Sequence, residues 1–331
     1  MKNFTGKIAI ITGAGTGMGR EIARQLAAKG CHLSLCDIIL SNLDETKRLC
    51  EKESPAGTRI TTHEADVADE AAVLAFREAA LAAHGTKHVN LVFNNAGIGG
   101  APSIVDGDRE QWEKVFNVCW FGVYYGTRAF LPALIASDEG YLVNTSSING
   151  FWACLGPDTP HSAYSAAKFA VKGFTEALVT DLRINAPHVK TAVVMPGHIG
   201  TAIMMNSRQI LGHGTVEQMT TEELTEIRER IRGMGADPDA LSDADLKAFV
   251  HQRMLDFQDK APTTAAAAAT IILDGVRAES WRILVGDDAG VLDRLVREDP
   301  EGAYDPKFLE KIHAGGHLND LTPPTGDGAE S

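Results

Sequence analysis

Short apolar runs alternate along the first two hundred residues with longer segments in which apolar side chains return every three or four positions. The first pattern belongs to strands buried on both faces, the second to amphipathic helices. Strands are predicted at residues 7–12, 31–36, 59–63 and 89–93, and helices through Lys29, over 42–53 and 69–83, and then over 108–136 and 163–185. An Ala-rich helix from near Pro262 to Ala278 leads into a last strand at 281–286. Such alternation predicts an α/β fold built on a doubly wound parallel sheet, and no Pro/Ser-rich linker divides it. One catalytic domain is expected over 1–290. A tail follows over 291–331, with a short helix at 291–296 and a disordered Gly/Pro/Asp-rich end from Gly315.

About sixty residues between Thr201 and Pro262 carry a pattern of their own. Thr220-Thr-Glu-Glu223 reads as a capping box followed by Leu224, Ile227 and Ile231 on one face. Ser242-Asp-Ala-Asp245 opens a second helix with a stripe of Leu246, Phe249, Val250, Met254 and Phe257. Two amphipathic helices are expected to cover the ligand crevice as a helical lid over about 202–260, with the apolar stretch around Met204 and Met205 facing substrate.

Composition narrows the partners. The 331 residues hold 31 Lys+Arg against 44 Asp+Glu, a net charge of −13, with no basic stripe interleaved with aromatics. That argues against a nucleic-acid role. The first residues lack an apolar leader core and no apolar run has the length of a membrane helix, so a cytoplasmic protein without a membrane partner is expected. Five cysteines, Cys31, Cys36, Cys50, Cys119 and Cys154, show neither Cys-x-x-Cys nor paired-histidine spacing, so they read as small apolar fillers and no metal is expected.

Candidate chemistry sits at the strand ends. Gly13-Ala-Gly15-Thr-Gly17-Met-Gly19 joins the first strand to the first helix. Glycines there let the backbone approach a phosphate, and the helix N-terminus offers free N–H groups. The spacing is Gly-x-x-x-Gly-x-Gly, not Gly-x-Gly-x-x-Gly. Asp37 ends the second strand, eighteen residues after Gly19, where a carboxylate can accept both hydroxyls of an adenosine ribose. It would repel a 2′-phosphate, and neither Thr16 nor Ile38 supplies a cation to hold one, so NAD is the expected cofactor. Further on, Ser146-Ser147-Ile-Asn149-Gly precedes Tyr164-Ser-Ala-Ala-Lys168. Four residues apart on a helix, Tyr164 and Lys168 share a face. An adjacent cation favours the phenolate of a tyrosine whose ordinary pKa is about 10, which makes Tyr164 a candidate general base. A lone Tyr-x-x-x-Lys is more often a half-buried tyrosine beside a solvated lysine, and a strand-end Asp37 could simply cap the next helix.

Taken in order, these motifs resemble the short-chain dehydrogenase/reductase family over about residues 4–201. The resemblance maps the glycine motif onto Thr12, Gly13, Gly17 and Gly19, the adenine-side aspartate onto Asp66, and Asn-Asn-Ala-Gly onto residues 94–97. It maps the helix asparagine onto Asn117, the serine onto Ser147, Tyr-x-x-x-Lys onto Tyr164 and Lys168, and Pro-Gly-x-x-x-Thr onto Pro196, Gly197 and Thr201. What it implies is a Rossmann fold, a catalytic set of Asn117, Ser147, Tyr164 and Lys168, and an NAD site. That site is drawn from Gly13, Thr16, Gly17, Met18, Gly19, Asp37, Ile38, Asp66, Val67, Asn95, Ala96, Gly97, Tyr164, Lys168, Pro196, Gly197, Ile199 and Thr201. The implied substrate is a bulky apolar secondary alcohol or ketone, with Asn149, Phe151, Trp152, Met204 and Met205 as its wall. Alternatives are an NADH-dependent carbonyl reductase and a non-catalytic scaffold, and the latter would be expected to lose the tyrosine or lysine. A homodimer or homotetramer is implied, pairing the helices at 108–136 and 163–185, where Phe116, Trp120, Val123 and Phe130 add apolar bulk. Three departures from the family stand out: a long aromatic loop over 151–161, the insertion, and the tail.

Overall fold

The structure, a computed structural model, describes residues 1–100, 103–155, 160–233, 237–238 and 241–316. β1 (Ile8–Thr12), α1 (Gly17–Ala27), β2 (His32–Asp37), α2 (Leu40–Glu53), β3 (Ile60–Glu64) and α3 (Glu70–His84) alternate as expected. They continue into β4 (Leu91–Asn94), α4 (Arg109–Phe116), α5 (Gly122–Ile135), β5 (Gly140–Thr145), α6 (Ser162–Asn185) and β6 (Val189–Pro196). The insertion then supplies β7 (Ile199–Gly200), α7 (Ile203–Ile210), α8 (Thr221–Gly233) and α9 (Asp243–Asp259). Last come β8 (Thr263–Thr264), α10 (Ala265–Arg277), β9 (Arg282–Val285), α11 (Asp287–Glu298) and α12 (Pro306–Ala314). Among the described residues no helix is long and apolar enough to cross a membrane.

Seven strands form one parallel sheet in the order β3-β2-β1-β4-β5-β6-β9. The two-residue period of a strand sends Ala9 and Ile11 to one face, against Ile22 and Leu26 of α1 and Ile272 of α10. Ile8 and Ile10 go to the other, against Phe76 of α3, Phe130 of α5 and Leu178 of α6. Burial on both faces is why β1 reads as a continuous apolar run, and each such side chain contributes about 1.5–3 kcal/mol by leaving water. Strand order reverses between β1 and β4, and the gap between their C-terminal ends is where such a sheet takes its ligand.

The helix expected over 108–136 is interrupted. Asn117–Phe121 forms a π turn between α4 and α5, closed by the Gly122 N–H on the Asn117 carbonyl. Val123 and Phe130 of this segment are core residues, 1% and 0% exposed, and do not add surface bulk. The expected capping box is present, Glu223 and Thr220 bonding each other's backbone N–H, and Asp245 and Ser242 form a second one at the start of α9. Leu224, Leu246 and Met254 form a small separate core with Val216 and Met219. The α9 stripe divides, because Phe249 is 40% exposed and the Phe257 ring lies against the His198 ring at 4.4 Å between centroids.

The C-terminal reading needs correction. A boundary at residue 290 falls inside α11, and α11 and α12 pack on the body through Ala289, Leu292, Phe308, Leu309 and Ile312. Their anchor is Trp152, fully buried, whose Nε1 donates to the Ala303 carbonyl at 2.7 Å. Trp152 therefore has no face to offer a substrate. Phe151 packs on the same cluster, with the Arg282 guanidinium 5.9 Å from its ring centre. An aromatic run that must bury itself can use either the crevice or a later helix, and here the later helices supply the partner. Residues 156–159 of the aromatic loop and 317–331 of the tail lie outside the described residues.

Trp152→Ala is expected to cost about 3–5 kcal/mol, the usual penalty for deleting a buried aromatic. Chemical denaturation measures it, and a loss below about 1 kcal/mol contradicts the anchoring role.

Candidate active site

The crevice begins where β1 and β4 end side by side. Thr12 Oγ1 accepts the backbone N–H groups of Asn95 and Ala96 at 3.0 and 3.1 Å, and Asn95 Nδ2 donates to the carbonyls of Thr12 and Gly13, each at 3.2 Å. Asn94 does a different job: its amide bonds Thr127 Oγ1 and Asn144 Oδ1 at 3.1 and 2.8 Å and pins the sheet to α5. At Gly13, φ is +62° and a Cβ would stand 2.6 Å from the Ala96 Cα; at Gly19 it would stand 2.1 Å from the Gly13 carbonyl oxygen. Side chains are thus excluded where the turn crosses the strand ends. Thr16 leads into α1 without capping it, and α1 has no acidic residue in its first turn. The first-turn N–H groups of α1 and its positive dipole end therefore face the crevice, an arrangement suited to phosphate.

Asp37 is tied into the turn through both carboxylate oxygens. Its Oδ1 accepts the Ile39 N–H at 3.0 Å and its Oδ2 the Gly15 N–H at 2.8 Å, so it shapes the turn at the end of β2. It also lines the crevice, together with Ile38, Asp66 and Val67, and each carboxylate oxygen keeps a lone pair for a ligand. The nearby cation, Arg20, is committed to the Gly15 and Asn42 carbonyls and to Thr46 Oγ1.

The catalytic candidates gather at the inner end. Lys168 is 2% exposed, and its Nζ donates to the Thr145 carbonyl at 3.0 Å. That ammonium sits 5.2 Å from the Tyr164 ring centre and 3.5 Å from where a Cβ on Gly97 would be. Ser147, whose Oγ accepts the Asn149 N–H at 3.2 Å, stands close enough to the Tyr164 phenol to favour its ionised form. Asn117 is half-buried at the start of the π turn. Burial raises the Tyr164 pKa, while Lys168 and, less strongly, Ser147 pull it down. Desolvation wins, so the lysine alone does not bring the phenol into the working range, contrary to the simple pairwise expectation.

The crevice is lined by Gly13, Thr16, Gly17, Met18, Asn95, Ala96, Gly97 and Thr201 of the expected cofactor set, besides the four residues around Asp37 and Asp66. Gly19, Pro196 and Ile199 are buried behind it, and Gly197 packs so closely on Asp288 that a Cβ would stand 2.2 Å from Oδ2. Of the expected substrate wall, Met204 is 39% exposed and Met205 packs into the core of the insertion. Asn149 turns its amide into its own loop, donating to the carbonyls of Trp152 and Cys154 at 3.0 and 3.1 Å. The α7 residues that reach the crevice are Ile203, Asn206 and Ile210, and neither α8 nor α9 lines it. Their 3-and-4 spacing is the signal that sequence reading could have used in place of the Met pair. Sequence reading also passed over His161, whose ring lies 4.8 Å from that of Tyr164. Burial pushes the His161 pKa down to about 4, so it is a neutral wall and not a second cation.

A hydroxyl, a phenol and a buried ammonium thus stand behind a crevice with a glycine turn and a carboxylate at its mouth, and the chain that carries them is similar to known proteins. The profile of short chain dehydrogenases matches residues 7–211. SadH of Mycobacterium tuberculosis, provisionally described as an oxidoreductase, is 36% identical over 297 residues, 90% of this chain and 92% of its own length. Among solved structures, a short chain dehydrogenase/reductase from Burkholderia phymatum in complex with NAD superposes with a TM-score of 0.71 at 29% identity, covering 92% of this chain and 98% of that one. A metagenomic short-chain oxidoreductase in complex with NADP gives 0.51 at 31% identity, over 59% of this chain and 83% of that one. The profile match spans well over half the sequence and the relatives share its length, so this chain belongs to the short-chain dehydrogenase family.

Proposed function

We propose that the protein is an NAD-dependent oxidoreductase acting on a secondary alcohol or its ketone, with Tyr164 as the general base. The observation that carries this reading is the buried Lys168 ammonium, held by the Thr145 carbonyl 5.2 Å from the Tyr164 ring centre. Bound NAD supplies the hydride acceptor. Tyr164 takes the proton of the alcohol oxygen, and Ser147 donates its one proton to that oxygen and holds it at reacting distance. Lys168 stabilises the phenolate from beneath and, as family resemblance suggests, binds the nicotinamide ribose. Asn117 is assigned the water that relays the proton outward from Lys168. The substrate wall is apolar, with Ile98, Val118, Ile203 and Ile210 around the crevice, which favours an apolar alcohol or ketone. Phe151, Trp152 and Met205 no longer support that preference. The insertion acts as a lid through α7, with α8 and α9 behind it. The reductive direction is the same chemistry reversed.

Because desolvation raises the Tyr164 pKa, alcohol oxidation should speed up as pH rises, along a limb set by one proton. Tyr164→Phe is expected to abolish that limb and to lower turnover by about two to four orders of magnitude, with NAD affinity kept within a small factor. Stopped-flow or steady-state NADH formation across pH reads both; a Tyr164→Phe enzyme with near-normal turnover defeats the assignment.

Cofactor choice follows from Asp37. Its ionised carboxylate accepts ribose hydroxyls and repels a 2′-phosphate of charge near −2, so NAD is expected to be preferred by about a hundredfold or more, some 2.7 kcal/mol. Asp37→Ala with Ile38→Arg should shift kcat/KM toward NADP, at a cost of about 1–3 kcal/mol in stability from the unpaired Gly15 and Ile39 N–H groups. Equal losses with both cofactors would mean that Asp37 only shapes the turn.

A homo-oligomer is expected through α5 and α6. Trp120 stacks on Tyr124 at 6.0 Å and meets Phe174 edge-on at 5.5 Å, while Phe169 of α6 is 42% exposed, an aromatic surface larger than one chain needs. Light scattering at micromolar concentration should give a multiple of 35.4 kDa, and a single-chain mass refutes it.

A further inference from the structure

Helix α7 is tied to both walls of the crevice. On the side of the glycine turn, Asn206 Nδ2 donates to Thr16 Oγ1 at 2.9 Å. On the opposite side, Ser207 Oγ accepts the Gly99 N–H at 2.7 Å, and the Lys114 ammonium bonds the Ile210 carbonyl. Ser207 is 5% exposed, so that tie is shielded from water. Between the two ties, Asn206 is the polar member of an otherwise apolar strip formed with Ile203 and Ile210.

The Asn206 bond fixes what Thr16 can do. A hydroxyl has one proton and two lone pairs, and using a lone pair on Asn206 leaves the proton to be donated elsewhere. Thr16 immediately precedes α1, whose first turn carries no acidic residue and whose N-terminus favours an anion. The Asn206 amide keeps a second N–H of its own. Three kinds of donor therefore meet at one point on the crevice floor: the helix N–H groups, the Thr16 hydroxyl and the Asn206 amide.

We propose that Asn206 is a cofactor-binding residue that orients the Thr16 hydroxyl and donates to the diphosphate of the dinucleotide, so that α7 clamps the cofactor as well as walling in the substrate. This rests on the reading of the crevice as a nicotinamide dinucleotide site. It assigns to the insertion a role in holding the diphosphate, and to Asn206 a function separate from those of Met204 and Met205.

Calorimetric titration with ADP-ribose and with adenosine tests it without turnover, since one probe carries the diphosphate and the other does not. Asn206→Ala is expected to weaken ADP-ribose by about tenfold or more, the loss of one or two hydrogen bonds to a charged group, and to leave adenosine within about twofold. Asn206→Asp keeps the shape and places a negative charge beside the diphosphate, so its loss should be larger and should grow as salt is lowered. Unchanged ADP-ribose affinity in both variants overturns the proposal, as does an equal loss for both probes, which marks a general distortion of the turn. If the unsubstituted protein itself binds no ADP-ribose, the dinucleotide reading fails first and the proposal with it.

Discussion

A charged ammonium with almost no access to water must be satisfied by the protein around it, and Lys168 sets this condition for the whole site. Its Nζ reaches the Thr145 carbonyl at the end of β5, and its own carbonyl accepts the Ser146 hydroxyl at 2.7 Å. Gly150 is required where this seam is tightest, since a Cβ there would stand 2.2 Å from Ser146 Oγ and 2.8 Å from the Lys168 carbonyl oxygen. The strand, the turn after it and α6 are thereby held in one register. The turn that carries Ser147 and the first turn of α6 that carries Tyr164 are thereby held beside one another. Removing a partner from a buried charge is costly, so the parts of this seam depend on one another.

The second constraint lies at the opposite end of the crevice, where backbone must come close to backbone. Asn95 donates its backbone N–H and its side-chain amide to Thr12 across the ends of β1 and β4, and the glycine turn passes over them with no room for side chains. Asp37 holds the Gly15 N–H from the next strand. A carboxylate that builds the turn and also lines the crevice cannot be replaced without disturbing the turn, so a single substitution there acts on both.

The insertion and the C-terminal segment extend the family's sheet in different ways. α8 and α9 bury their apolar faces in a small core of their own and leave α7 as the element that touches the crevice. α11 and α12 close around Trp152 and also cover Phe151 and Cys154, directly after the turn that carries Ser147. The segment after β9 is therefore part of the support of the turn that carries Ser147, although none of its described residues lines the crevice.

Much of this was legible without coordinates. Continuous apolar runs bounded by Gly, Asn and Asp specify buried parallel strands, because only residues covered on both faces lose the alternation of polar and apolar positions. The glycine turn, Asp37, and the Tyr164 and Lys168 pair are local in sequence, so their spacing alone places them on shared faces of defined elements. Which surface each remaining apolar side chain chooses is not local. Trp152, Met205 and Phe249 have the same character in sequence, yet one anchors a helix about 150 residues later, one fills the insertion and one faces water. The Tyr164 pKa and the Asn206 bond to Thr16 depend likewise on burial and on a partner 190 positions away. Periodicity fixes which face of an element is apolar; only the packing of distant elements decides what that face meets.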